Sequence, residues 1–244
     1  MNISLAAEPV FYLWGFKITN SLISTWIVIT ILFFIGYIVG KRAKIKPDSG
    51  QNLFEIVFQA ILDLSETVAG QKSRVFFPLI FTFFIFIICA NWFGLLPGVG
   101  SIGLKEVIDG KEVFVPFLRA ATSDLNMTLA LSLISVFTIQ YYGVKYLKLS
   151  YFKKFINITS PINFFVGILE LISEFSKIIS FSFRLFGNIF SGEVLLMVIA
   201  FLVPMIGSLP FFGLEIFVGF IQALVFMMLT LVFINVATVN HEEH

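Results

Sequence analysis

Residues 161–203 read PINFFVGILELISEFSKIISFSFRLFGNIFSGEVLLMVIAFLV. After Pro161, no proline interrupts the chain until Pro204. At about 1.5 Å per residue, an unbroken helix of this length is roughly 60 Å long, about twice the hydrocarbon core of a bilayer. It must therefore tilt strongly, bend, or lie partly along the membrane surface, and Gly187 and Gly192 are the candidate bend points. Pro204, Gly207 and Pro210 then predict a turn, and 211–239 returns as a second apolar helix. Together they form a helical hairpin. Inside its first arm sits Arg184, among Phe181, Phe183, Leu185 and Phe186 and far from either end. A charge at bilayer depth costs about 2.5–3.5 kcal/mol on insertion scales, so it marks a functional site by default.

The rest of the chain fits a membrane setting. It has 244 residues, 58% of them hydrophobic, with 32 Phe. Only 13% are charged, about half the share in a soluble domain. A net charge of +1 gives neither a nucleic-acid footprint nor a polybasic membrane patch. Cys89 is the single cysteine, so no internal disulfide forms, and a small apolar core residue accounts for it. Apolar runs predict spans at 22–40, 75–97 and 125–145, besides the hairpin of 161–203 and 211–239. No repeat or low-complexity linker divides them, and one membrane domain over 1–244 is expected.

Charge asymmetry orients the spans. Residues 1–21 carry only Glu8 and Lys17, unlike the basic start of a cleavable signal, whereas KRAKIK at 41–46 follows the first apolar run. The 97–124 loop sets Lys105, Lys111 and Arg119 against Glu106, Asp109, Glu112 and Asp124. The loop after the third span carries Lys145, Lys148, Lys153 and Lys154 and no acid. Because Lys and Arg collect on the cytoplasmic side, the N-terminus is expected outside and the C-terminal NHEEH inside. Residues 51–69 place Asn52, Glu55, Gln59, Asp63 and Glu66 within an arc of roughly 80°, which predicts an amphipathic helix on the inner surface. Its polar face is acidic, so protein contact and water exposure are equally open for it.

With Arg184 as zero on a helical wheel, Glu170 and Asn188 fall at about +40°, Lys177 at about +20°, Ser173 and Ser191 at about −20°, and Ser180 at about −40°. Glu174 lies at about +80°, and Glu193 is roughly opposite Arg184. One narrow face of a very apolar helix thus carries nearly all its polar groups, a pattern that suits a water-accessible ion path. Plainer readings stay open beside it. Glu170, Glu174 and Lys177 have the spacing of an ion-pair cluster, and the serines have the size for close packing or for bonds to backbone carbonyls. Folding the hairpin about Gly207 pairs Glu193 with Glu215 towards the outside and Arg184 with Gln222 at mid-depth.

Other chemistry is missing. The chain has no GxxxxGK[ST], CxxC or HExxH, and His241 and His244 lie at the terminus in HEEH, so no metal or cofactor is expected. Nothing pairs a nucleophile with a base, which disfavours a membrane hydrolase.

SFRLFGNIFSGE at 182–193 and IQALVFMMLTLVFI at 221–234 resemble subunit a of the F-type ATP synthase. KITNS at 17–21, QNLFE at 51–55, FPLIFTFFIFIICANWFGLLPG at 77–98 and TSDLNMT at 122–128 follow the same family in the same order, so the likeness covers nearly the whole chain. The resemblance implies an all-α membrane protein of five to six helices, with a surface amphipathic helix and a long tilted hairpin against the c-ring. It implies that Arg184 is the stator arginine facing the c-ring carboxylates and that Gln222 is the glutamine opposite. It assigns Asn188, Glu193 and Glu215 to an outer half-channel, Glu170, Ser173, Lys177 and Ser180 to the inner side, and Asp124 and Asn126 to an outer-side motif. Some members carry histidine at one of the positions of Glu193 and Glu215. This chain has glutamate at both, so a histidine relay is excluded there and two carboxylates sharing a proton are expected instead.

The implied role is a non-catalytic, proton-translocating stator subunit in the cell (inner) membrane. Its implied partners are the c-ring, the peripheral-stalk b subunits and lipid. A secondary ion transporter with a charged midplane site is the alternative, but it favours paired repeats, and none is visible. A membrane scaffold needs no polar stripe.

Overall fold

The computed structural model describes residues 8–13, 15–44, 48–100, 102–108, 111–155, 160–203 and 207–239. The end of KRAKIK, Pro204 of the expected turn, and the terminal NHEEH with its two histidines lie outside the described residues. The long helices are α1 (Asn20–Arg42), α2 (Ser49–Ala69), α3 (Ser73–Gly94), α4 (Leu125–Leu147), α6 (Pro161–Leu202) and α7 (Ser208–Ala237), with a short α5 (Leu149–Lys153) before α6. Among the described residues, five helical stretches are long and apolar enough to cross a membrane, one of them running through α2 and α3. The chain is an all-α multi-pass membrane protein.

Local chemistry sets the helix ends. Thr19, Asp124 and Ser160 cap α1, α4 and α6, each side-chain oxygen accepting from a first-turn backbone N–H. Pro161 opens α6 where its missing N–H costs nothing. Two positions depart from the sequence reading. Pro210 lies in the first turn of α7 rather than in the turn before it, because a proline is tolerated there. The apolar run expected to span 75–97 leaves the helix at Gly94, with Leu95 and Leu96 in a turn ahead of Pro97. Gly187 and Gly192 do not break α6, which stays helical through both.

Two antiparallel hairpins were not anticipated. Strands β1 (Pro9–Leu13) and β2 (Phe16–Thr19) precede α1, and β3 (Gly103–Ile108) and β4 (Lys111–Pro116) lie between α3 and α4. The two hairpins lie at one end of the bundle, where the Asn20 amide at the start of α1 donates to the Pro116 carbonyl at the end of β4, and strand pairing satisfies backbone groups outside the helices.

The core centres on α3 and α7, where Phe76, Ile80, Ile87, Met227, Leu231 and Ile234 are almost fully buried. Phe226 of α7 packs on Phe83 of α3 and Phe181 of α6, with ring centroids 5.4 and 5.3 Å apart. Helix α4 joins this core through hydroxyl pairs, Ser135 with Thr230 at 2.8 Å and Thr128 with Ser182 at 3.2 Å. Between hydrocarbon-facing helices such small polar contacts hold register where the hydrophobic effect offers little. Helix α6 buries a single stripe, Gly167, Glu174, Phe181, Ser182, Leu185, Ile189 and Gly192, while Phe164, Phe165, Phe175, Phe183 and Phe201 are exposed.

At the hairpin end of the bundle, six consecutive residues, Arg119 to Asp124, are all buried. The Arg119 backbone N–H donates to Ser24 Oγ at 3.2 Å. Ser21 Oγ donates to Asp124 Oδ2 at 2.6 Å. Thr122 donates to Asn91 Oδ1 at 2.6 Å, and the Asn91 amide donates to the Gly219 carbonyl at 2.8 Å. One turn away the Trp92 indole donates to the Ile216 carbonyl at 3.1 Å. Ala120 lies so close to Gly94 that a Cβ there would overlap it. This knot ties α1, α3, α4 and α7 at one end.

Replacing Asn91 with Leu strands the Thr122 hydroxyl and removes the grip on α7, at a cost of about 1–3 kcal/mol. Thr82→Val, which loses only an exposed bond to the Pro78 carbonyl, is expected to stay within about 0.5 kcal/mol of the parent. Unfolding midpoints of the two variants in detergent check this, Asn91→Leu falling and Thr82→Val holding.

Candidate functional site

Arg184 lies on the face of α6 turned away from the bundle and is exposed. Its Nη2 donates to Ser180 Oγ, one turn earlier, at 3.4 Å. One turn later, the Asn188 amide donates to the Arg184 carbonyl at 2.9 Å, and Ser191 donates to the Asn188 carbonyl at 3.0 Å. Among the described residues, no carboxylate forms an ion pair with the guanidinium. Ser173, Ser180, Asn188 and Ser191 are all exposed along the same arm. The wheel reading therefore survives as a polar row on the uncovered side of the helix.

Glu193 sits near the knot at the other side of α6. Its Oε2 lies 3.5 Å from the Nε of Arg119, but that oxygen is buried and without a hydrogen-bond partner. The contact is an ion pair by distance, not a directed hydrogen bond. Arg119 is itself 8% exposed. Its Nε donates to Ser123 Oγ at 3.1 Å, and its guanidinium stands 5.7 Å from the Phe190 ring centroid. Loop charge counting had treated Arg119 as one of several outer charges. Its burial depends on groups from two distant segments, α1 and α6, which no local pattern announces.

Glu215 is 5% exposed and rests against Gly192, where a Cβ would overlap its carboxylate. It is near enough to Glu193 for the two charges to interact. The hairpin arithmetic thus brings the two glutamates to one level. Gly192 makes room for a carboxylate from the facing helix. The register continues down the hairpin. Gly192 and Phe181 are eleven residues apart on α6, as Glu215 and Phe226 are on α7, and each faces its counterpart. In that register Arg184 is level with Ala223, beside the half-buried Gln222, although its side chain leaves the exposed face of α6. No hydrogen bond joins Gln222 to Arg184.

Asp124 and Asn126 belong to the knot. Asp124 Oδ1 accepts from the Asn126 backbone at 2.9 Å and from its amide at 3.2 Å, while Oδ2 takes the Ser21 hydroxyl. Asp124 is buried and Asn126 exposed, and their bonds cap α4 and hold α1.

Towards the other end of α6, the acids and the lysine divide into two pairs. Glu170 takes Lys154 from the segment after α5. Glu174, turned off the exposed row, takes Lys177 at 2.7 Å. The three do not form one cluster, because the basic loop supplies a fourth charge. Glu174 also accepts from Gln140 of α4 at 2.8 Å, and Tyr151 donates to Gln140 Oε1 at 2.7 Å. Burial pushes the Tyr151 phenol up from its ordinary value, and the Glu174 and Glu170 carboxylates add to the rise.

In chemical terms, the hairpin carries two interacting carboxylates near the knot, an unneutralised cation at mid-length, and ion pairs with exposed hydroxyls beyond it. Such groups accept and release protons, and they hold water where apolar walls exclude it.

The Gly192 contact generates a prediction. Gly192→Ala displaces the Glu215 carboxylate and is expected to increase its labelling by a hydrophobic carbodiimide in membranes. Gly187→Ala, which meets open space, is expected to leave labelling unchanged. Mass spectrometry of the Glu215 peptide reads both.

A family model described as ATP synthase A chain matches residues 22–235. That span takes in the polar row, both glutamates of the hairpin and the buried knot. By that match the chain belongs to the ATP synthase A chain family, as a proton-transporting membrane component of ATP synthesis.

Proposed function

We propose that the chain is the stator of a rotary motor, with two half-channels that load and unload the carboxylates of a c-ring. The observation that carries this reading is Arg184, a cation on the exposed face of α6 with no acidic partner among the described residues. A guanidinium left against hydrocarbon is too costly to keep, so its counter-charge must come from another subunit. The exposed phenylalanines along the same helix supply the apolar bed for that partner.

Protons enter from the knot end, where Glu193 and Glu215 receive them. The next transfer neutralises a c-ring carboxylate, which then turns into lipid. A protonated site returning from the other side loses its proton to the inner path, along Ser180, Lys177, Ser173 and Glu170. Arg184 favours the ionised carboxylate by proximity and blocks a direct leak between the two paths. Asn188, through the Arg184 carbonyl, and Ser180, through its hydroxyl, bracket the arginine on its helix, while Gln222 lies near its level on α7. Asp124 and Asn126 build the wall of the outer path by fixing α4 against α1. Each charge carried down the gradient supplies about 2.3 kcal/mol per 100 mV.

In this reading the chain sits in the cell (inner) membrane with its N-terminus outside and its C-terminus cytoplasmic. It is non-catalytic on its own, and peripheral-stalk b subunits hold it against the rotation of the ring.

Arg184→Ala in the assembled complex is expected to abolish ATP synthesis driven by an imposed proton gradient. A normal rate in that variant would falsify the stator assignment. Glu193→Gln and Glu215→Gln are expected to slow proton flux more together than the product of their separate effects, because they share one site. Unchanged flux in the double variant removes both from the path.

A further inference from the structure

The α5 end of the hairpin holds a cluster that the outline above leaves unexplained. Glu174 is 9% exposed, although it belongs to the helix with the largest uncovered face. A carboxylate is buried in such a place only with its charge and lone pairs satisfied. Lys177 supplies the charge at 2.7 Å and Gln140 a donor at 2.8 Å. The Gln140 side chain is oriented in turn by Tyr151. With the phenol donating to Oε1, the amide must aim its NH2 at Glu174. Tyr151 is 2% exposed, and its ring crosses α4 at Gly143, where a Cβ would overlap it. Gly167 similarly admits the Phe155 carbonyl against α6. Two glycines therefore let the 149–155 segment lie flat across α4 and α6, with the phenol at the end of a continuous chain of bonds.

This chain ends on the polar row. Lys177 lies only about 20° from Arg184 on the wheel, about two turns towards the α5 end. Its ammonium also stands 4.7 Å from the Phe233 ring centroid of α7. The other charges beside the cluster, Glu170 and Lys154, neutralise each other. An uncompensated ammonium at Lys177 would repel protons on the inner path. An uncompensated carboxylate at Glu174 would trap them.

We propose that Glu174 and Lys177 form a charge-compensated pair that sets how readily the inner path accepts a proton, with Gln140 and Tyr151 as the positioning residues that hold it. This rests on the half-channel reading given above. Glu174 is turned off the row, so it acts on the path through Lys177. Gln140 and Tyr151 act one and two bonds further back.

The test uses the assembled complex in vesicles, with ATP-driven pumping measured while the pH on the α5 side is varied and the other side is held fixed. Glu174→Gln leaves a bare cation, so the inner proton concentration for half-maximal pumping is expected to rise about threefold. Lys177→Gln leaves a bare carboxylate and is expected to lower it by about the same factor. The double variant, again uncharged overall, is expected to return to the parent profile, as is Lys177→Arg. Tyr151→Phe keeps the ring on Gly143 but frees the amide, and is expected to shift the profile in the same direction as Glu174→Gln, by less. Packing damage lowers rates without producing opposite shifts. If the two single neutralisations shift the profile in the same direction, or neither shifts it, the pair does not set the inner path. An unmoved Tyr151→Phe profile removes the positioning role. Arg184→Ala in the same vesicles reports separately on the half-channel reading, since normal proton-driven synthesis there overturns that reading whatever the inner profiles show.

Discussion

The knot at Arg119–Asp124 is the constraint on which the hairpin depends. Helices in lipid gain little from apolar contact with each other, so their mutual positions are fixed where polar groups have no alternative partners. Here a short buried segment bonds to Ser21 and Ser24 of α1 and Asn91 of α3, and through Asn91 to the backbone of α7. The same segment carries Arg119, which meets Glu193 of α6. A loop outside the apolar spans thus locates one of the two glutamates. The other is located by the facing glycine, so the pair is assembled from both sides.

Helix α6 has two unlike faces, and the difference follows from what each must satisfy. Apart from Glu174, the buried stripe contains small or apolar residues that admit α4 and α7 closely. The uncovered face mixes phenylalanines with a row of hydroxyls, an amide and Arg184. Each serine or asparagine there is spaced to bond back to its own helix, as Ser176, Asn188 and Ser191 do. Ser180 instead takes one of the five donors of Arg184, which outnumber the acceptors within reach.

The spans were legible because lipid demands long uncharged runs, and Thr19, Asp124 and Ser160 are readable caps. Arg184 was legible as a cost without a visible return. The β3–β4 hairpin was also written in the sequence, as an Asp109-Gly110 pair flanked by LKEVI and KEVFV. Reading by apolar runs passed over it. Tyr151 was not legible, since five residues of α5 are too few to show a period. Nor was the pairing of Glu170 with Lys154, which depends on how a basic loop folds back onto α6. Arg119 shows the general reason: a charge count records sign, whereas burial is a property of segments far apart in the chain.

The two bonds from α3 to α7 carry a mechanical consequence. Asn91 and Trp92 hold the carbonyls of Gly219 and Ile216, which lie in one turn of α7. A rod gripped at two points of one turn is fixed in azimuth as well as in height. Seven residues separate Glu215 from Gln222, about two turns, so both leave the rod in nearly the same direction. The bearing of Gln222 is thus set by α3, the helix that grips α7 one turn before it.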